Sequence, residues 1–356
     1  MKIGILTFHN AHNYGAVLQC YALMRYLTAQ GHAVSVIDYV NDSIISCYHW
    51  FDWRRFVRKN PLNILKEIVL LGYRKRRYNN FQSFINSLPL VAPYSIEDIN
   101  ILDYVVVGSD QVWNTQLTCG FDDWYWGNSV HSSHTRIVSY AASMEQYWGA
   151  DNDVVAAELL KNFSSISVRE QNLAEIIQRL IPSKSIAITI DPTLLISTVI
   201  WDKFAIAPKI SDDYLLLYQV RFSEEVYNTA QDIAKRKGLR LVCLSARVED
   251  RNDKNVIAAS PREFIGLFKN ASFIVTVSFH GTIFSVVFHR EFLSLGLQDG
   301  EDSRCLNFLK EIGLENRFLI VGDSFYDNQF IDWDACDSKL DSIRKNSVEW
   351  INNNII

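Results

Sequence analysis

A chain of 356 residues with 48% hydrophobic and 21% charged residues has the balance of a soluble globular protein long enough for two domains. Its formal net charge of −5 argues against a general nucleic-acid binder, for which a basic domain is expected. No apolar run reaches the ~18 residues that a membrane-spanning helix needs. The six cysteines (Cys20, Cys47, Cys119, Cys243, Cys305 and Cys336) are scattered without a C-x-x-C pair. They suggest neither a zinc site nor a disulfide framework, and they fit a reduced, cytoplasmic setting.

Strand-like apolar runs alternate with helix-length segments almost throughout, the pattern of an α/β protein with mainly parallel sheets. MKIGILTF reads as a first strand rather than a signal peptide, having no small-residue cleavage site. AVLQCYALMRYLTAQ follows as a helix stopped by Gly31, then AVSVIDY as a strand. After a basic helical insert at about 45–90 come DYVVVGS, RIVSYAAS, a helix from Val154 to Lys161, SISVRE, a helix to Leu180, and AITI before Asp191 and Pro192. The alternation restarts beyond Leu195. YLLLYQV, LRLVCLS, FIVTV and EFLSLG read as strands, with helices in EEVYNTAQDIAKRKG, PREFIGLFKNA and GTIFSVVFH. Two α/β halves, 1–200 and 201–356, joined near 196–212, predict two Rossmann-like domains facing a cleft. Ligands in such sheets bind beyond the carboxyl ends of the strands.

Four loops at strand ends carry the candidate chemistry. Asn13, Tyr14 and Gly15 form a tight turn before the first long helix, either an anion site at a helix N-terminus or ordinary turn chemistry. Gly108 lets Ser109, Asp110 and Gln111 leave their strand sharply. Asp110 there either takes a proton from a sugar hydroxyl or caps the turn, and Trp113 offers a face for a sugar ring. Arg169 either grips a carboxylate or phosphate or pairs with Glu170. Ser278, His280 and Gly281 stand where FIVTV ends and a helix starts, so His280 is either a hydrogen-bonded helix-start residue or a general acid. Downstream, His289 and Arg290 add a second cation.

One segment departs from the overall acidity. Arg54, Arg55, Arg58, Lys59, Lys66, Arg74, Lys75, Arg76 and Arg77 are interleaved with apolar residues at helical spacing. Segment 54–77 reads either as a basic amphipathic helix for an anionic membrane or as a solvated helix face packed on the protein body.

Taken in order, NYGAVLQCYAL, GSDQVWN, SYAAS, SVRE, DPTLL and SFHG resemble the polysaccharide pyruvyl transferase family over about residues 3–320. The resemblance implies a fold similar to the GT-B glycosyltransferases and transfer of a pyruvyl group from phosphoenolpyruvate to a sugar. The product would be a cyclic ketal on two hydroxyls of a bacterial exopolysaccharide or capsule precursor. Asp110 is then the base for the acceptor hydroxyl, and Asn13, Tyr14, Gly15, Ser109, Gln111 and Trp113 border the acceptor. His280 matches the catalytic acid, with Ser278 and Gly281 beside the donor, and Arg169 matches a donor-binding arginine. Arg290 falls where relatives often carry Lys, and Val277 where many carry an acid.

No metal and no cofactor are called for. The implied acceptor is a sugar or lipid-linked oligosaccharide, and the implied place is the cytoplasm or the inner face of its membrane. Two alternatives remain at this level: a glycosyltransferase of the same architecture using a nucleotide sugar, and a weakened, non-catalytic relative.

Overall fold

Twelve strands form among the described residues, and their sequences explain why. In the computed structural model, residues 1–46, 48, 51, 61–93, 99–130, 132, 134–245, 257–298, 302–323, 325 and 330–355 are described. The strands are β1 (Lys2–Leu6), β2 (Ala33–Ile37), β3 (Leu90–Val91), β4 (Tyr104–Val107), β5 (Arg136–Ala142), β6 (Ser165–Val168), β7 (Ile186–Ile188), β8 (Tyr214–Gln219), β9 (Arg240–Ser245), β10 (Phe273–Thr276), β11 (Phe292–Gly296) and β12 (Phe318–Ile320). YVVV of β4, YLLLYQ of β8 and FIVT of β10 are buried at every position, as strands of a parallel sheet covered on both faces must be. Each fully buried Val, Leu or Ile among them contributes about 1.5–3 kcal/mol by leaving water.

All pairings are parallel. One sheet has the order β3-β2-β1-β4-β5-β6-β7 and the other β12-β11-β10-β8-β9. The α/β class with two parallel sheets is therefore what the alternation predicts. The chain divides into two compact units, neither of them a single continuous segment. One comprises Met1–Tyr48, Ser83–Ile196 and Asp341–Ile356, the other His49–Gln82 and Ser197–Leu340. The passage at Ile196 lies beside the joint read from the sequence, whereas the 49–82 segment and the end of the chain change units.

Helix starts follow local chemistry. Asn13 is extended, and its side-chain oxygen accepts the Gly15 N–H at 2.9 Å to open helix Tyr14–Ala29. Ser260 and Glu263 form a reciprocal capping box, with Pro261 at the first position of helix Pro261–Asn270. Ser223 caps helix Glu224–Lys237, which has acids in its first turn, bases in its last, and left-handed Gly238 as its stop.

The basic insert is less basic outside than its sequence. In helix Pro61–Ile85, Arg74 reaches the buried Glu67 at 2.7 Å, and Arg77 is buried with its guanidinium 4.7 Å from the Phe81 ring. Lys75 and Arg76 face outward. The four bases 74–77 thus split between both sides of the helix; Arg54, Arg55, Arg58 and Lys59 lie outside the described residues.

Candidate functional site

The strand order locates a switch point in each sheet. In the first unit β1 is followed by β2 on one side and, later, by β4 on the other; in the second unit β8 is flanked likewise by β9 and β10. The crevice beyond the carboxyl ends of such a pair is where open α/β sheets place their ligands. The β1/β4 pair puts Asn13 and Ser109–Gln111 on its two walls, and the β8/β10 pair puts Ser278–Gly281 opposite the 220–223 turn.

In the first unit, Gln19 ties the two walls together. Its amide donates to Thr7 Oγ1 at 2.8 Å and its Oε1 accepts the Ser109 N–H at 3.2 Å. Gly108 sits at φ +115, and a Cβ there would collide with the Tyr140 carbonyl oxygen, so the sharp exit from β4 requires glycine. Asp110 is half-buried. Its Oδ1 accepts the Gln111 N–H at 2.8 Å, and its carbonyl accepts the Ser143 N–H at 3.1 Å. Gln111 is held between Glu145, 3.0 Å from its amide nitrogen, and Asn114, whose amide donates to its Oε1 at 2.7 Å.

Two residues assigned to the acceptor from the sequence belong instead to the core. Trp113 is fully buried, stacks on Trp126 at 5.3 Å, and donates its ring N–H to the Tyr125 carbonyl at 3.0 Å. Its indole fills the space under the sheet and offers no face to a sugar. Tyr14 is likewise fully buried, and Gly15 serves the Asn13 cap.

Arg169, at the end of β6, is the centre of a closed network. Its Nε donates to Glu170 at 3.1 Å, one terminal nitrogen to Asp191 at 2.8 Å and the other to Ser143 Oγ at 2.8 Å. The Ser143 hydroxyl in turn donates to Glu170 at 2.7 Å, while Asp191 also holds the Thr193 N–H at 3.0 Å. Burial works against the arginine's charge, yet Glu170, Asp191 and Asp110 outweigh it and hold the guanidinium pKa above its ordinary value. SYAAS supplies the partner through a bulge: the β5–β6 register shifts between Ser139 and Ala142, and Ala141 takes φ +48 with its N–H on Ser167 Oγ at 3.0 Å. Ser143, Glu170 and Asp191 lie in the SYAAS, SVRE and DPTLL motifs, but only their spatial meeting reveals that they act together.

In the second unit, Ser278 is extended and caps helix Phe279–Val287 by accepting the Gly281 N–H at 3.4 Å. A Cβ on Gly281 would strike Thr276 Oγ1 and come within 3.0 Å of the Tyr218 ring, so the glycine lets the helix start lie against β8 and β10. His280 is half-buried in that first turn, edge-on to Phe279. Val277 is buried, with its carbonyl 3.4 Å from an Arg221 nitrogen, so no carboxylate precedes Ser278.

The structure does not bring Arg290 to His280. Helix Phe279–Val287 runs back across the sheet for roughly 13 Å, and Arg290 precedes β11 at the amino edge, where its charge acts on Tyr214, the first residue of β8. His289 ends the helix in the left-handed region, φ +49, and stacks on Trp333 while its Nε2 meets Asp337 at 3.0 Å. At the carboxyl edge the sequence reading missed three charged groups. Arg221 follows β8, and Asp302 and Arg304 follow β11, Arg304 lying 6.0 Å from the Phe279 ring. For Arg221 the signal was present, a charged residue two positions after an apolar strand, but the pairing of β8 with β10 is what gives it its place.

A family model described as polysaccharide pyruvyl transferase matches residues 13–299. No curated protein matches the chain in sequence. Among solved structures it is similar to UDP-GlcNAc 2-epimerase from Methanocaldococcus jannaschii, at 13% identity over 96% of this chain and 92% of that one, with a TM-score of 0.46. S. aureus MnaA in its UDP co-structure follows at 14% identity, 89% and 88% coverage and a TM-score of 0.44. E. coli heptosyltransferase WaaC with ADP gives 10% identity, 96% and 100% coverage and a TM-score of 0.42. Identities this low say nothing about substrate.

Proposed function

The chain belongs to the polysaccharide pyruvyl transferase family, and on that premise we propose that it transfers a pyruvyl group from phosphoenolpyruvate to a sugar of a bacterial surface polysaccharide precursor. The observation that carries this reading is the position of His280, in the first turn of a capped helix at the β8/β10 switch point. A helix start directs backbone N–H groups toward an anion, and the imidazole adds a proton donor beside it.

The chemistry follows from the donor's enol. His280 gives a proton to the methylene carbon, which becomes the methyl group and leaves positive charge on the adjacent carbon. One sugar hydroxyl attacks that carbon, the bond to the phosphate oxygen breaks, and a second hydroxyl closes the ketal. Two hydroxyl protons are released; one goes to a base, matching the proton that His280 gave and regains from solvent, and the other leaves with the phosphate. Asp110 is the proposed acceptor of the first of these protons, supported by its half-buried place at the β1/β4 switch point. A positioned acid or base of this kind typically contributes ~10²–10⁴-fold.

Arg169, matched by resemblance to a donor-binding arginine, is proposed to act through its neighbours. Its three hydrogen-bonded acceptors support a role in fixing the ends of β5, β6 and β7 and in balancing the acids around Asp110. No helix among the described residues is long and apolar enough to cross a membrane. A peripheral contact of segment 54–77 with an anionic membrane, beside a lipid-linked acceptor, draws support from the outward Lys75 and Arg76.

The test is phosphate release from phosphoenolpyruvate with and without candidate sugar acceptors. Release that needs both reactants is the expected result. Binding of nucleotide sugars with no response to phosphoenolpyruvate would favour a glycosyltransferase instead, and donor binding without any turnover would point to a weakened relative.

A further inference from the structure

A sugar ring presents more hydroxyls than the two that close a ketal, and a site that tells sugars apart must read the others. We propose that Asp38, held by the buried His9, binds a non-reacting hydroxyl of the sugar across the end of β1 from Asp110, and so determines which sugars are accepted. That the bound sugar is a pyruvyl acceptor rests on the function proposed above; the hydroxyl contact at Asp38 does not.

Three observations converge on Asp38. The first is place. Asp38 directly follows β2 and Gly108 directly follows β4, the strands on either side of β1. Continued past the strand ends, the register sets Asp38 level with Thr7 and Gly108. The flanking strands stand roughly 9–10 Å apart, twice the spacing of neighbours in a sheet. One pyranose ring lying over the end of β1 spans that gap with a hydrogen bond on either side. The second is aim. His9 is fully buried, with Nδ1 3.2 Å from the Thr7 carbonyl and Nε2 2.9 Å from Asp38 Oδ1. The carbonyl can only accept, so Nδ1 carries a proton, and one further proton joins Nε2 to Oδ1. The contact turns the carboxylate toward the loop after β1. Asp38 Oδ2 takes no hydrogen bond among the described residues, and the side chain is 42% exposed. The third is the frame. Thr7 Oγ1 accepts the Gln19 amide at 2.8 Å and Gln19 Oε1 accepts the Ser109 N–H at 3.2 Å, which ties the wall of Asp38 to the wall of Asp110. Within that frame the Ser109 hydroxyl is buried and has no hydrogen-bond partner among the described residues. A buried hydroxyl in that state is met by an ordered water or by a ligand group.

The proton shared by His9 and Asp38 makes the pair neutral whichever group holds it, and in either form Oδ2 remains an acceptor. Such an oxygen suits a neutral sugar hydroxyl. It holds the hydroxyl and leaves its proton in place, so the reacting hydroxyls stay with Asp110. Asp38 is thereby a specificity-determining contact, and His9 is a positioning residue that acts through it. A group placed to pair with a substrate hydroxyl rejects the analogue that lacks it. Asp38 is partly open to water in the empty site, so its discrimination falls well below that of a fully buried group.

The experiment is an NMR titration of the full chain, without phosphoenolpyruvate, with the methyl glycosides of galactose, glucose, mannose and N-acetylglucosamine. The tightest binder is then compared with each of its monodeoxy analogues. At least one analogue is expected to bind the wild type about tenfold more weakly than its parent, the scale of a hydrogen bond to a charged group. Asp38→Ala is expected to bind that analogue and the parent alike, and Asp38→Asn, which keeps one acceptor oxygen, to fall between. His9→Phe keeps a buried ring without its nitrogens and is expected to lose part of the same discrimination, a ratio that a purely structural role would leave unmoved. Thermal midpoints are read alongside; if His9→Phe fails to fold, the half-exposed Asp38 variants decide. Discrimination by Asp38→Ala equal to that of the wild type for every analogue overturns the proposal, as does a wild type that binds none of the glycosides. Discrimination lost with Asp38→Ala, in a protein that releases no phosphate from phosphoenolpyruvate with any sugar, keeps the sugar contact and removes the pyruvyl reading.

Discussion

The two sheets end in opposite chemistry. Along the carboxyl edge of the first unit β4, β5, β6 and β7 are followed by Asp110, Glu145, Glu170 and Asp191, with Arg169 drawn into the acids as a buried counter-charge. Along the corresponding edge of the second unit β8, β10 and β11 are followed by Arg221, His280 and Arg304, with Asp302 3.6 Å from Arg221. The same backbone plan, an all-parallel sheet, has been given acceptors in one unit and donors in the other. For the proposed reaction, the first edge has the acceptors that hydroxyl protons need, and the second has the donors that an anion needs. Sheet architecture fixes where a ligand sits; the few residues that follow each strand decide its sign.

The contrast can be broken most directly at His280. His280→Ala is expected to lower turnover by about 10²–10⁴-fold, the usual range for a lost general acid, with phosphoenolpyruvate still bound; equal rates of phosphate release would remove the acid from the second edge. Next is Arg169→Met, which leaves Asp191 and Glu170 buried without their partner and should cost about 3–5 kcal/mol in urea unfolding. Stability unchanged but donor affinity lost would return Arg169 to the donor.

Asp110→Asn sharpens the acceptor side. We expect turnover to fall about 10²-fold while calorimetry shows the same affinity for phosphoenolpyruvate; parallel loss of donor binding would contradict the division of labour. Trp113→Phe should cost about 1–3 kcal/mol, the scale of leaving the Tyr125 carbonyl without its donor, with the acceptor KM unmoved. A raised KM would put the indole back at the sugar. Smallest of all, Arg290→Gln is expected to change turnover by less than about twofold, as substitutions away from a site generally do.

Much of the fold was legible because its causes are local. Apolar runs such as YVVV and FIVT and the Gly238 stop each declare an element from within a few residues. Strand order is not local, and with it went the neighbours of Asp110 and Arg221: no spacing in the sequence says that β1 lies beside β4, or β8 beside β10. Trp113 was misread because it stands in an irregular turn, where neither a period of two nor one of 3.6 tells inside from outside. Arg290 was different. It precedes a strand instead of following one, and in a parallel sheet that alone assigns it to the edge away from His280. The family resemblance ordered the motifs correctly, yet a matched arginine such as Arg169 shows its partners only in three dimensions.

The closing helix, Trp333–Asn354, carries a consequence for how the molecule is made. Its Ser347 hydroxyl accepts the Ile190 N–H at 3.0 Å, its Arg344 donates to the Leu194 carbonyl at 2.7 Å, and its Trp350 ring lies 6.0 Å from that of Tyr140. These contacts flank Asp191, so the unit begun by Met1–Tyr48 is completed by residues 341–356, which are made only after the whole of 197–340. At roughly 5–20 residues per second, the acid-rich edge waits several seconds or more for its final support. During that interval a holdase that shields nascent chains has something specific to cover: the segment 190–194 that Ser347 and Arg344 later hold.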